Sequence, residues 1–180
     1  MLTVFRVVFV ALLIGAGIGS CVVSPAAAQN TPPAPECHSE PLYRGFDFWI
    51  GSWDVFAPNG NRAGSNQIER AESGCLLLER WTSSQGGTGT SMNYVDPVDG
   101  RWRQIWMDGG GNVIHLAGGL EHGAMKLSGE LIDPQGNRSG LRGTWTPLGD
   151  GSVRQLFEQS LDGGRTWSTW FDGYYRKPMP

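Results

Sequence analysis

Tyr94-Val95-Asp96-Pro97-Val98-Asp99-Gly100-Arg101-Trp102-Arg103-Gln104-Ile105-Trp106-Met107-Asp108-Gly109-Gly110-Gly111-Asn112-Val113-Ile114-His115-Leu116 decides the fold. Short runs rich in aromatic and β-branched residues are separated by two clusters of Asp, Pro, Gly and Asn. Proline presets one turn dihedral, glycine takes the left-handed region, and Asp and Asn bond to their own backbone, so each cluster reads as a tight turn. In the central run, Trp102, Gln104, Trp106 and Asp108 share one face, while Arg101, Arg103, Ile105 and Met107 share the other. No helical period fits this stretch.

The same beat runs outward in both directions. Further turn signals stand at Pro58-Asn59-Gly60-Asn61, Asp133-Pro134-Gln135-Gly136-Asn137, Gly149-Asp150-Gly151 and Asp162-Gly163-Gly164. The spacing predicts strands near 49–57, 63–72, 75–83, 88–96, 101–108, 112–119, 124–132, 139–147, 152–160 and 166–176. Short connections make sequence neighbours antiparallel sheet neighbours. The expected fold is all-β, an antiparallel up-and-down β-barrel of about ten strands, because closure removes both exposed edges. A two-sheet sandwich meets the same short connections and is the alternative.

Three segments are expected: a signal peptide at 1–28, a Pro-rich tether at 29–44 and the barrel at 45–180. Arg6 precedes the apolar run Val7–Ile14, and Ala26-Ala27-Ala28 ends the segment. A basic start, a short apolar core and a small-residue cleavage site form a secretory signal. The apolar core falls short of the roughly 20 residues of a membrane span, so an uncleaved anchor is the weaker reading. The expected mature protein is periplasmic or secreted, starts at Gln29 and has no integral membrane span. Ile18-Gly19-Ser20-Cys21 resembles a lipobox and offers a second route, a lipoprotein anchored through Cys21.

The formal net charge is −3, and loss of Arg6 with the leader makes the mature chain one unit more acidic. With no basic run, nucleic acid and a polybasic membrane patch are not expected partners. Of three cysteines, Cys37 and Cys75 remain after cleavage at Ala28. An even pair in an oxidising compartment reads as a disulfide. The alternative, a metal site, lacks ligand spacing: His38, His115 and His122 sit in no metal motif.

Gly51-Ser52-Trp53 lies in the first predicted strand and Arg176 ends the last. This G-x-W opening with a terminal arginine resembles the calycins, the lipocalin and fatty-acid-binding-protein superfamily. The resemblance implies a barrel whose tryptophan plugs the closed end beneath the arginine. A wider resemblance covers nearly the whole mature chain. Phe46-Asp47-Phe48-Trp49-Ile50-Gly51-Ser52-Trp53-Asp54-Val55 is similar to the opening of an exported, calycin-like bacterial family, the domain of unknown function family numbered 1579. Gly74-Cys75, Leu78-Glu79-Arg80-Trp81, Tyr94-Val95-Asp96-Pro97, Trp102 to Asp108 and Asp162 to Gly173 resemble later blocks of that family. The likeness implies fold and export and carries no chemistry.

Ser160-Leu161-Asp162-Gly163-Gly164-Arg165-Thr166-Trp167 fits the Asp-box of sialidase propellers. It occurs once, in a chain too short for a propeller, and is expected to be a hairpin turn in which Asp162 bonds turn N–H groups.

Strand parity proposes a lumen. Leu77, Glu79 and Trp81 oppose Leu76, Leu78 and Arg80; Arg154, Leu156 and Glu158 oppose Val153, Gln155, Phe157 and Gln159. Trp170, Asp172, Tyr174 and Arg176 are expected to face inward with the terminal arginine. The candidate ligand-binding residues are Glu79, Trp81, Gln104, Trp106, His115 and Arg154; Gly51, Trp53 and Arg176 are the structural ones. Aromatic walls with sparse polar anchors suit a small apolar or aromatic molecule. The alternative is a filled core in which the polar groups pair with one another. His115 is the candidate acid–base residue, with Glu79 or Glu158 as partner. Neither a G-x-S-x-G elbow nor a haem motif is present, and no cofactor is expected. Three functions therefore compete: an exported binding barrel, an isomerase, lyase or hydrolase using His115, and a structural envelope module with a filled barrel.

Overall fold

Alternating strands joined by tight turns can hide their edges only by closing on themselves. In the computed structural model, which describes residues 37–179, they do so. Ten strands form the barrel: β1 (Gly51–Phe56), β2 (Arg62–Ala71), β3 (Leu76–Ser83), β4 (Thr88–Val95), β5 (Trp102–Asp108), β6 (Val113–Glu121), β7 (Ala124–Ile132), β8 (Arg138–Pro147), β9 (Val153–Ser160) and β10 (Ser168–Arg176). Each pairs antiparallel with its sequence neighbours, and β1 also pairs with β10, so the ring is closed and the sandwich is excluded. The predicted signal peptide, Cys21 and the start of the tether lie outside the described residues.

The turns work as their residues dictate. Asp108 Oδ1 accepts from the backbone N–H of Gly110 and Asn112, both at 2.9 Å. Asp133 Oδ1 does the same with Gln135 and Asn137. The Asp-box turn belongs to the same class. Asp162 Oδ1 accepts from the backbone N–H of Thr166 at 2.9 Å and of Arg165 at 3.0 Å, and Oδ2 accepts from the Thr166 hydroxyl at 2.6 Å. The hydroxyl and backbone N–H of Thr166, together with the Ser160 hydroxyl, lower the Asp162 pKa to about 2. An acid depressed in the folded state stabilises it above the unfolded pKa and stops doing so as pH falls through the folded one. We therefore expect the Asp162 carboxyl resonance to titrate near pH 2. D162A should speed amide exchange at Gly164, Arg165 and Thr166 while leaving the opposite end of the barrel protected.

One end of the barrel is sealed. Where a tether is expected, Cys37–Ser39 and Pro41–Arg44 form 3-10 turns, and a third, Asp47–Trp49, replaces the predicted start of β1. These turns carry Phe46 and Trp49 under the barrel. Phe46 stacks on Trp49 with centroids 4.8 Å apart and meets Trp102 and Trp145 edge-on at 5.6 and 5.3 Å. Trp53 Nε1–H donates to the Trp49 carbonyl at 2.8 Å, and Trp102 Nε1–H to that of Leu42 at 3.2 Å. Asp47 receives Arg70 and Arg44. The expected disulfide is present: Cys37–Cys75 ties the plug to the β2–β3 connection.

The cation over the first-strand tryptophan is not the expected one. Arg176 faces outward and lies over Phe56 at 5.2 Å, while Lys177 Nζ sits 3.6 Å from the Trp53 ring centroid. The reason is parity: Tyr175 takes the inward position and directs its hydroxyl into the lumen, so Arg176 must point out. Gly51, at φ +137°, leaves room for this arrangement, since a Cβ there would stand 2.4 Å from Lys177 Nζ.

Candidate functional site

The other end is open. A cavity of about 680 Å³ enters the lumen beside the β1–β2 and β3–β4 turns. Its wall is aromatic: Trp81, Trp106, Phe157, Trp170 and Phe171, with Ile114. Trp81 meets Phe171 edge-on at 6.1 Å, and Phe157 lies 5.9 Å from Trp170. Two local features build this wall. Gly143 leaves space for the Phe157 ring, which would lie 2.2 Å from a Cβ at that position. A bulge in β10 between Thr169 and Phe171 leaves Trp170 unpaired against β9, and Trp170 joins the cavity lining although it is 41% exposed.

Glu79, Gln104, Gln155 and Tyr175 form the cavity's polar floor. They belong to one network crossing six strands. Tyr175 OH donates to Gln155 Oε1; Asn66 Nδ2 donates to Glu79 Oε1 at 2.7 Å and to Tyr175 OH at 3.2 Å; Ser91 Oγ–H donates to Glu79 Oε2. Asn93 Nδ2 donates to Ser91 Oγ at 2.8 Å and to the Leu77 carbonyl at 3.2 Å, and Gln104 Nε2 donates to Asn93 Oδ1 at 2.9 Å.

The Leu77 carbonyl sets the polarity of this chain. A backbone oxygen only accepts, so Asn93 must turn its amide nitrogen toward it and its oxygen toward Gln104. Gln104 must then offer its nitrogen to Asn93. Its own Oε1 is left buried without a hydrogen-bond partner. Asn66 Oδ1 is in the same condition.

Burial pushes the Glu79 pKa above the ordinary carboxylate value, and the bonds from Asn66 and Ser91 oppose that rise. Burial, reinforced by the nearby Glu79 charge, pushes the Tyr175 hydroxyl well above its usual value. The floor thus holds an acid whose charge is costly without a counter-ion.

The structure brings together Glu79, Trp81, Gln104 and Trp106 of the predicted site. It does not bring His115 or Arg154 to it. Arg154 points outward, where Asp172 holds it bidentately at 2.8 and 2.9 Å and Tyr174 lies beneath it. The inward residues of β9 are Val153, Gln155 and Phe157, all buried, and the Gln155 amide oxygen accepts there from Tyr175. The inward face expected for β10 is likewise corrected: Phe171, Gly173 and Tyr175 line it, and Asp172 is held outside by Arg154.

His115 is exposed on the outer face of β6, opposite Glu130 of β7. The barrel wall separates it from buried Glu79. Glu158 is three strands away and pairs with Arg142 at 2.8 Å on the outside. The expected His115–carboxylate pairing is therefore not assembled. Among the described residues, no three His, Cys, Asp or Glu side chains form a group that could hold a metal ion.

Asn66, Ser91, Asn93, Gln155, Tyr175, Phe157 and Phe171 were not among the predicted site residues. Their signal lay in register, not in type: Ser91 is the direct cross-strand partner of Glu79, and Asn93 that of Gln104. Hydropathy points the wrong way in β4, where Met92 is 46% exposed and Asn93 is fully buried. Compared with known proteins, the chain matches no family model and no curated sequence.

Proposed function

We propose that this chain is an exported, calycin-like barrel that binds a small apolar or aromatic molecule in the open half of its lumen. The observation that carries the reading is the cavity of about 680 Å³, walled by aromatic rings above a buried polar floor. A site of that size with apolar walls and a few fixed polar groups is the usual make-up of a small-molecule pocket. The sealed opposite end supports binding rather than passage, because the Phe46–Trp49–Trp145 cluster closes the lumen. Export is supported by the leader pattern in the sequence and by the Cys37–Cys75 bond, which suits an oxidising compartment.

Tryptophan fluorescence tests the reading directly. Trp81, Trp106 and Trp170 line the cavity, whereas Trp49, Trp53, Trp102 and Trp145 are buried in the core and absent from its lining. Titration with a panel of naphthalenes, indoles and lipids should give saturable quenching. Trp81→Ala should raise the Kd of a quenching ligand about 10-fold through loss of ring contact. If no member of the panel quenches in a saturable way, the binding reading fails.

A further inference from the structure

The cavity is chemically one-sided. Arg62 is the only basic residue among its described lining, and it stands at the start of β2 beside the rim, where Asp54 holds its guanidinium at 2.7 Å. The floor instead offers acceptors. Glu79, 4% exposed, accepts at both carboxyl oxygens, from Asn66 and from Ser91. Gln104, 1% exposed, also lines the cavity; its buried Oε1 has no donor, and the Leu77–Asn93–Gln104 chain commits its amide nitrogen to Asn93.

An unpartnered buried acceptor is costly, and an anionic head group would leave it unpaired while adding like charge beside Glu79. A head group that donates N–H bonds and carries positive charge corrects both deficits at once.

Resting on the binding reading above, we infer that the lumen selects an aromatic molecule with an amine head group over one with a carboxylate, with Glu79 as counter-ion and Gln104 Oε1 as hydrogen-bond acceptor. The rings of Trp81, Trp106 and Phe171 cover the flat body of the ligand. Burial raises the pKa of Glu79, so an entering ammonium stabilises the ionised form of that carboxyl.

Three ligands sharing one ring system separate the contributions: naphthylmethylamine, methylnaphthalene and naphthoate, each titrated at neutral pH by tryptophan quenching and by calorimetry. The amine is expected to bind about 10-fold tighter than the hydrocarbon, as a charge-assisted hydrogen bond implies, with naphthoate weakest. Glu79→Gln should remove the preference for the amine and keep the affinity for methylnaphthalene, which also reports that the lumen has folded. Gln104→Met should lose part of the preference. If either variant fails to fold, the order of the three ligands on the unaltered protein still decides. Equal binding of amine and hydrocarbon, or naphthoate binding as tightly as the amine, overturns the inference and leaves the binding reading standing. If none of the three binds, the binding reading falls and takes the inference with it.

Discussion

Truncating Trp145 to alanine is expected to lower the unfolding free energy by about 3–5 kcal/mol, the range for removing a large aromatic side chain from a packed core. Trp145 is fully buried and touches both halves of the lumen. On the sealed side it meets Phe46 at 5.3 Å and Trp49 at 5.7 Å; on the open side it meets Phe157 edge-on at 5.2 Å. The void left by the indole cannot collapse easily, because the plug is held by the disulfide and the wall by strand pairing. Urea unfolding followed by far-UV circular dichroism measures the loss. A second effect follows from position: Phe157 lines the cavity, so W145A should also weaken ligand quenching. A shift of less than about 1 kcal/mol would mean that the cluster is not a cooperative part of the core.

Opening the disulfide has the other large expected effect. Cys37 and Cys75 are separated by 38 positions. The chain-entropy relation for a loop of this length gives about 4 kcal/mol. The double variant Cys37→Ser/Cys75→Ser should move the urea midpoint down by a corresponding amount. The loss should begin locally, because the bond anchors the start of the plug, whereas Asp47 is held independently by Arg70. Amide exchange over residues 37–44 should rise before exchange in β3 to β8 does. A midpoint unchanged by the double variant would show that Phe46 and Trp49 packing holds the plug unaided.

Strand order was legible in the sequence because turns are local chemistry. Asp108, Asp133 and Asp162 each organise their turn through bonds spanning two to four residues, so the sequence alone marks where the chain reverses. Parity within a strand was legible where a tryptophan alternates with an arginine, Trp81 against Arg80 in β3 and Trp102 against Arg103 in β5, which placed Glu79, Trp81, Gln104 and Trp106 on the lumen side. It misled in β9 and β10. In β10 the choice of inward face rested on the terminal arginine, while Tyr175 and Gln155, bonded to each other inside, decide the orientation of both strands. His115 illustrates the same gap: apolar neighbours on a strand do not say which side of a wall the histidine occupies.

Tight turns and two-residue alternation are properties of neighbouring residues, and they carried the all-β class, the strand positions and the antiparallel order, while cysteine count and the leader carried the disulfide. Ring closure is a property of the whole chain. It brought β10 beside β1 and so determined which polar side chains share the lumen, that Lys177 instead of Arg176 covers Trp53, and that residues 37–49 seal one end. The unpaired acceptor of Gln104 belongs to that second kind of information: it follows from a carbonyl on β3, an amide on β4 and an amide on β5 meeting in one buried line. Only folding brings those three groups within hydrogen-bond distance, so no local pattern in the sequence encodes it.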